Sequence, residues 1–287
     1  MKAAAIFSFF LWLAAAPGRA AEITVSIRPA EPYQGGVAEI KILGGGEVKA
    51  ESGGAELPVY RAGGDADPAH IALLGIDLEQ RPGPVDIALR GRGAGGATWT
   101  KHAAVTVKAR EFPREEITVP ESFDQLDKAT LKRIEKEQAA LARLWKIRTP
   151  GRLWDGAFVA PVPGAVNSAF GFRRVVNGAA RAPHAGTDLK AALGAEVVAA
   201  NHGRVVLRDD FFFSGLSLVL DHGGGLYTMY FHFSEFRAES GAEVRKGQVI
   251  GLAGMTGRVT GPHLHWGARL NGARVDPLEL LKIESQK

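Results

Sequence analysis

Cysteine is absent from all 287 residues. The absence excludes a disulfide framework, a thiolate zinc ribbon, an iron–sulfur cluster and a cysteine nucleophile. Any metal must then be held by histidine and carboxylate side chains. Neither sign of charge dominates, since 35 Lys and Arg stand against 31 Asp and Glu. That balance, with a sequence pI near 9.3, suits an anionic setting such as a cell envelope and does not call for nucleic acid as a partner. Long apolar runs are missing beyond the first residues, so no membrane span is expected in the mature form. Glycine, in contrast, is abundant at 36 residues, which favours many turns between short strands over long helices.

The N-terminus has a pattern of its own. Lys2 precedes an apolar stretch from Ala3 to Ala16 broken only by Ser8, and then comes Pro17-Gly18-Arg19-Ala20-Ala21. A basic start, an apolar run too short to cross a bilayer and small residues at its end describe a secretory signal peptide. Residues 1–20 are read as that signal, with cleavage after Ala20 and export to the periplasm, cell envelope or extracellular space. An uncleaved anchor is the alternative.

Three regions follow. Over 21–110, short alternating segments such as Ile23 to Ile27, Val37 to Leu43, Glu56 to Tyr60, His70 to Leu74, Val85 to Leu89 and Trp99 to Val107 are separated by glycine-rich turns. Six or seven such strands predict an immunoglobulin-like β-sandwich. Residues 111–150 form a linker in which Asp127 to Lys146 reads as an amphipathic helix, with Leu131, Ile134, Leu141 and Trp145 on one face. From 151 to 287 the strand pattern returns, with Asp221-His222-Gly223-Gly224-Gly225 as a hairpin turn before Leu226 to Phe233. The fold class is therefore mainly β.

Six of the eight histidines, 184, 202, 222, 232, 263 and 265, lie in the last region. In His184-Ala185-Gly186-Thr187-Asp188, imidazole and carboxylate are both good zinc ligands, and Gly186 lets the backbone bend or approach closely. In His263-Leu264-His265, residues two apart on a strand face one side, so both imidazoles point together while Leu264 and Trp266 point away. On the strand around Tyr230-Phe231-His232-Phe233, His232 shares a face with Tyr230. Each pattern is also compatible with a plainer role. A His-x-His pair suits an exposed polar strand face, and His232 suits a core residue bonded to backbone. Spacing alone leaves both open.

Taken in order, several blocks resemble a known family. They are Ser168-Ala169-Phe170-Gly171-Phe172-Arg173, His184 to Asp188, Asp221-His222-Gly223 with Tyr230-Phe231-His232, Gly247-Gln248-Val249-Ile250-Gly251, and Thr260-Gly261-Pro262-His263-Leu264-His265. Over about 155–280 they are similar to the LytM/lysostaphin-type zinc endopeptidases. The resemblance implies an antiparallel β-sheet peptidase domain with Zn²⁺ in a groove, acting on peptidoglycan. It puts the zinc ligands at His184, Asp188 and His265 and two further active-site histidines at His232 and His263, either of which can be the base. Three ligands leave a fourth position for water, as a catalytic zinc site requires. His222 is expected to be structural, His202 exposed, and Phe211-Phe212-Phe213 mainly packing. After His265 the chain departs from the family, with Trp266 where Phe is usual and Gly267 where an acidic residue often stands. A non-catalytic wall-binding or amidase-activating protein on the same scaffold is the competing reading, because a fold does not guarantee its site. All five residues are present here, which favours the enzyme.

Overall fold

The computed structural model describes residues 23–44, 46–62, 69–93, 96–118 and 126–283. The expected signal peptide and its cleavage point lie outside the described residues. Among the described residues, no helix is long and apolar enough to cross a membrane.

The fold is mainly β. Eight strands come first: β1 (Thr24–Arg28), β2 (Val37–Leu43), β3 (Glu47–Ser52), β4 (Ala55–Leu57), β5 (Val59–Ala62), β6 (Ala69–Gly75), β7 (Gly83–Arg92) and β8 (Thr98–Val107). They make two antiparallel four-stranded sheets, ordered β1-β2-β6-β5 and β4-β3-β7-β8. Ile40, Ile42, Ala72 and Leu74 from the first sheet share one buried cluster with Ala50, Ile87, Leu89 and Val105 from the second. β3 and β4 are additional to the expected segments apart from Glu56 and Leu57. β6 departs from simple alternation, because both of its faces are buried. Ala72 and Leu74 point into the first cluster, while Ala69, Ile71 and Leu73 join a second one with Trp154, Leu270 and Val275. The near-continuous apolar run of β6 is the signature of a strand covered on both sides.

The 111–150 segment is more structured than its charged, proline-bearing sequence suggests. β9 (Arg114–Ile117) pairs in parallel with β11 (Arg173–Val176), drawing this stretch to the C-terminal region. The helix α1 (Lys128–Leu144) forms where expected. Its residues are mostly good helix formers without Gly or Pro, and the Asp127 carboxylate caps it by accepting from Thr130 N–H at 2.7 Å. Ile134 is buried, and Leu141 and Trp145 pack on Val219, Tyr227 and Met229. Leu131, expected on that face, is instead 52% exposed, in the first turn of the helix and about three turns from Leu141.

The remaining strands are β10 (Val166–Ser168), β12 (Ala179–Ala180), β13 (Gly186–Leu189), β14 (Glu196–Val198), β15 (Gly203–Phe211), β16 (Gly215–Asp221), β17 (Leu226–Phe236), β18 (Glu243–Val244), β19 (Val249–Ala253), β20 (Leu264–Leu270) and β21 (Ala273–Val275), closed by a short helix α2 (Pro277–Leu280). One large sheet runs β10-β13-β20-β17-β16-β15-β18, with β19 bridging β14 to β17 and β21 flanking β20. Leu264, Trp266, Tyr230, Leu218 and Leu220 fill its core face with no exposed area. The opposite face carries the polar residues described next.

Candidate metal centre

β13 and β20 are antiparallel neighbours, with Asp188 directly opposite His265. Paired residues point to the same side of a sheet, so carboxylate and imidazole emerge together, His265 Nδ1 lying 2.9 Å from Asp188 Oδ1. Gly186 precedes them on β13. A Cβ there would come within 2.5 Å of His265 Nε2 and 2.7 Å of the Trp266 carbonyl oxygen. The glycine is needed for this close approach.

His184 comes from the loop ahead of β13. Its N–H donates to the Phe172 carbonyl, and its own carbonyl accepts from Gly171 N–H. Nδ1 of the ring is 3.0 Å from the Ala169 carbonyl oxygen. A carbonyl can only accept, so Nδ1 carries the proton and Nε2 presents a lone pair. That lone pair lies 3.1 Å from Asp188 Oδ1 and 3.0 Å from His265 Nδ1.

Three acceptor atoms therefore converge. With both rings neutral and Asp188 ionised, they share at most one proton among them. Burial opposes charge on Asp188, but the His184 and His265 rings at its oxygen prevail and hold its carboxyl well below the usual carboxylate range. Burial likewise lowers the pKa of His265. Mutual separations of 2.9–3.1 Å compare with roughly 3.3 Å along the edge of a tetrahedron built on ~2.0 Å metal–ligand bonds. Two imidazoles and a carboxylate so placed fit a divalent cation, and these three residues are a potential metal-holding group among the described residues.

His232 and His263 border this triad. On β17, Phe231 is opposite His265 and stacks on its ring, with centroids 5.1 Å apart and planes 5° apart. Regular alternation would turn His232 into the core with Tyr230. A β-bulge prevents that. Leu216 pairs with Phe233 but Leu218 pairs with Tyr230, so Ser217 faces two residues of β17. His232 takes a left-handed backbone conformation, φ 64°. Its ring consequently lies 4.8 Å from that of His263 and 6.1 Å from that of His265. The face shared with Tyr230, expected from sequence, is thus overturned at this position.

Both rings are fixed by backbone carbonyls. His232 Nδ1 donates to Thr256 O and His263 Nδ1 to Gly261 O, each at 2.9 Å. The two Nε2 atoms are left to the site, that of His263 3.9 Å from Asp188 Oδ1. Burial, reinforced by His265, pushes His232 down to about 4, so it is neutral near pH 7.

The other histidines are elsewhere. His222 is fully buried beneath the sheet, donating from Nδ1 to the His202 carbonyl at 2.6 Å, with Nε2 2.7 Å from the Thr228 hydroxyl. His202 is half-buried instead of exposed, and its Nδ1 accepts from Lys246 N–H at 3.3 Å. Phe211 is core, whereas Phe213 is 44% exposed. Sequence patterns did not single out Phe231, nor the carbonyls of Ala169, Thr256 and Gly261. Backbone acceptors carry no side-chain signal, and Phe231 reads as one more apolar strand residue.

Known proteins are similar to this chain over the region that carries the site. Residues 182–277, which contain all five residues, match the model of peptidase family M23. A crystal structure assigned to peptidase M23 from Pseudomonas aeruginosa is 32% identical, with a TM-score of 0.66 over 88% of this chain and 95% of that one. Peptidoglycan DD-endopeptidase ShyA of Vibrio cholerae is 40% identical over 98 residues, 34% of this chain and 23% of ShyA. DD-carboxypeptidase/endopeptidase Mpg of Neisseria meningitidis is 40% identical over 97 residues, 34% of this chain and 22% of Mpg. The matched segment thus spans less than a quarter of these two relatives. With the P. aeruginosa structure matched over nearly its whole length, the chain belongs to peptidase family M23, the LytM/lysostaphin-type peptidases its motif order resembles.

Proposed function

We propose that the protein is an exported zinc metalloendopeptidase that hydrolyses peptide bonds in peptidoglycan stem peptides or cross-links. The observation that carries this is the convergence of His184 Nε2, Asp188 Oδ1 and His265 Nδ1 within 3.1 Å of one another, beside two histidines whose Nε2 atoms are free. The names of ShyA and Mpg support peptidoglycan as the substrate class. His184, Asp188 and His265 hold the ion. Zinc bound there supplies a Lewis acid and an acidified water. His232 and His263, each with its proton parked on Nδ1, present Nε2 lone pairs that take a proton and return it to the leaving amine. The paired N-terminal sheets are read as an immunoglobulin-like unit that restricts or positions the catalytic face.

Muropeptides released from purified sacculi, identified by mass spectrometry with and without chelator, test the proposal. Chelator-sensitive cleavage of stem or cross-link peptides is expected. No release by zinc-loaded protein would favour the non-catalytic wall-binding or amidase-activating reading. Export predicts a mature N-terminus at or near Ala21, and an intact Met1 on native protein would oppose it.

A further inference from the structure

The bulge in β17 interrupts the β16–β17 ladder next to the Leu216–Phe233 pair, before Leu218 pairs with Tyr230. The hydroxyl of Thr256 fills that gap. It accepts from Leu216 N–H at 2.9 Å and donates to the Phe233 carbonyl at 2.7 Å. The backbone carbonyl of the same residue accepts from His232 Nδ1 at 2.9 Å, while the N–H of His232 donates to the Ser214 carbonyl at 2.9 Å. Arg258 N–H closes the clasp on the Phe213 carbonyl at 3.0 Å. The approach depends on Gly215, where a Cβ would lie 2.3 Å from the Thr256 hydroxyl oxygen. One threonine therefore spans the two strands with its side chain and holds the imidazole with its main chain.

We propose that Thr256 is a positioning residue for the peptidase reaction: it holds His232 in its left-handed conformation and in the Nδ1–H tautomer, so that Nε2 offers a lone pair to the reacting groups. A histidine at positive φ is uncommon and persists where its surroundings over-determine it. A hydroxyl both donates and accepts, so it can satisfy Leu216 and Phe233 together; valine, of the same shape, can do neither. Without that bridge the loop carrying the Thr256 carbonyl is free to shift. The ring can then exchange to the Nε2–H tautomer, which puts a proton where the lone pair is needed. This inference rests on the proposed proton-transfer role of His232.

The test uses full-length, zinc-loaded protein labelled with ¹⁵N-histidine, as the parent and as Thr256→Val and Thr256→Ser. In the parent, the His232 ring shifts should report Nδ1–H. In Thr256→Val that signal should move toward the other tautomer, with kcat on sacculus-derived peptide down about 10–100-fold and KM and zinc content nearly unchanged. Thr256→Ser should restore both signal and rate. An Nε2–H tautomer in the parent, parental shifts and kcat in Thr256→Val, or a serine variant as defective as the valine one would each overturn the proposal. Should Thr256→Val fail to fold, Thr256→Ala, which removes the same hydroxyl without added bulk, should move the His232 signal, and an unmoved signal would overturn the proposal. If His232→Ala keeps full turnover, the reading of the reaction fails instead, and the tautomer measurement shows this separately.

Discussion

At Asp188 two effects oppose each other, burial against the adjacent imidazoles, and the imidazoles prevail because both lie within 3.1 Å of one oxygen. Removing any member of the triad leaves two ligands. His184→Ala, Asp188→Ala and His265→Ala should therefore each weaken zinc binding by more than the ~10–100-fold typical of losing an outer-shell partner. Metal analysis after dialysis checks this, and full zinc retention in all three would remove the assignment. His232→Ala and His263→Ala should keep the metal and lose ~10²–10⁴-fold in kcat, the usual scale of acid–base catalysis. Loss of zinc in either would mark a misplaced ligand. His222 makes a different prediction. Burial holds it neutral in the folded state, with its pKa pushed down to about 4. The unfolded chain takes up that proton below about 6.5. Stability from this group is therefore complete above pH 6.5 and is lost as pH falls toward 4, on the order of 3 kcal/mol in all. Thermal melts across that window should flatten in His222→Gln, and an unchanged slope would contradict this.

Helix α1 lies on the sheet face that carries His265. Trp145 stands edge-on to Tyr227 at 5.3 Å, Arg269 lies over Trp145 at 5.1 Å, and the Tyr227 hydroxyl donates to the Ile147 carbonyl at 2.8 Å. Farther along, the Glu137 carboxylate accepts from Phe212 N–H at 3.0 Å. A cover, a positioning element and a spacer are the three roles a helix docked there can have. Trp145→Ala should loosen it at a cost of about 2 kcal/mol, less than a fully buried Trp would show. Sacculus cleavage should then rise several-fold if α1 acts as a cover. A fall in both wall binding and rate would mean positioning, and no change in either would leave a spacer. The helix itself was legible from its 3.6-residue period, and the Asp127 cap came with the structure. The docking end was not, because Leu131 has the same spacing as Leu141 and yet faces solvent.

Across the whole molecule, the β1-β2-β6-β5 sheet and the peptidase sheet share a core. Val37, Ala62, Ile71 and Leu73 pack in one cluster with Trp154, Leu270 and Val275. Polar contacts cross the same boundary. Arg274 binds Asp77 through Nη2 at 2.7 Å and Nε at 3.1 Å, Arg110 binds Asp276 at 3.0 Å, and Asp276 N–H donates to the Gly35 carbonyl at 2.7 Å. Hydrogen bonding to Asp77 raises the pKa of Arg274; the pair is partly solvated, so its contribution is modest. Calorimetry should accordingly show one unfolding transition for both parts, and Asp77→Ala should lower stability by about 1–2 kcal/mol without splitting it. Two separated transitions in the parent protein would contradict the shared core. For the same reason, cutting the chain before Gly151 would expose apolar surface as well as remove α1, and point substitutions in α1 are the cleaner probe.

Local chemistry determined what could be read from the chain directly. The His-x-x-x-Asp and His-x-His spacings, the missing cysteines, the alternating strands and the amphipathic helix all depend on residues near one another in sequence. Tertiary structure alone decided that Asp188 faces His265, which is a matter of strand register across 77 residues. It also decided that His232 leaves the core face. A single bulged residue inverts side-chain alternation, and no period-2 pattern records it. The two-sided burial of β6 belongs to the same class, since an apolar strand does not state how many layers cover it. Pairing, bulges and layers are set by what packs against a segment from far along the chain, and that contact is absent until the chain folds.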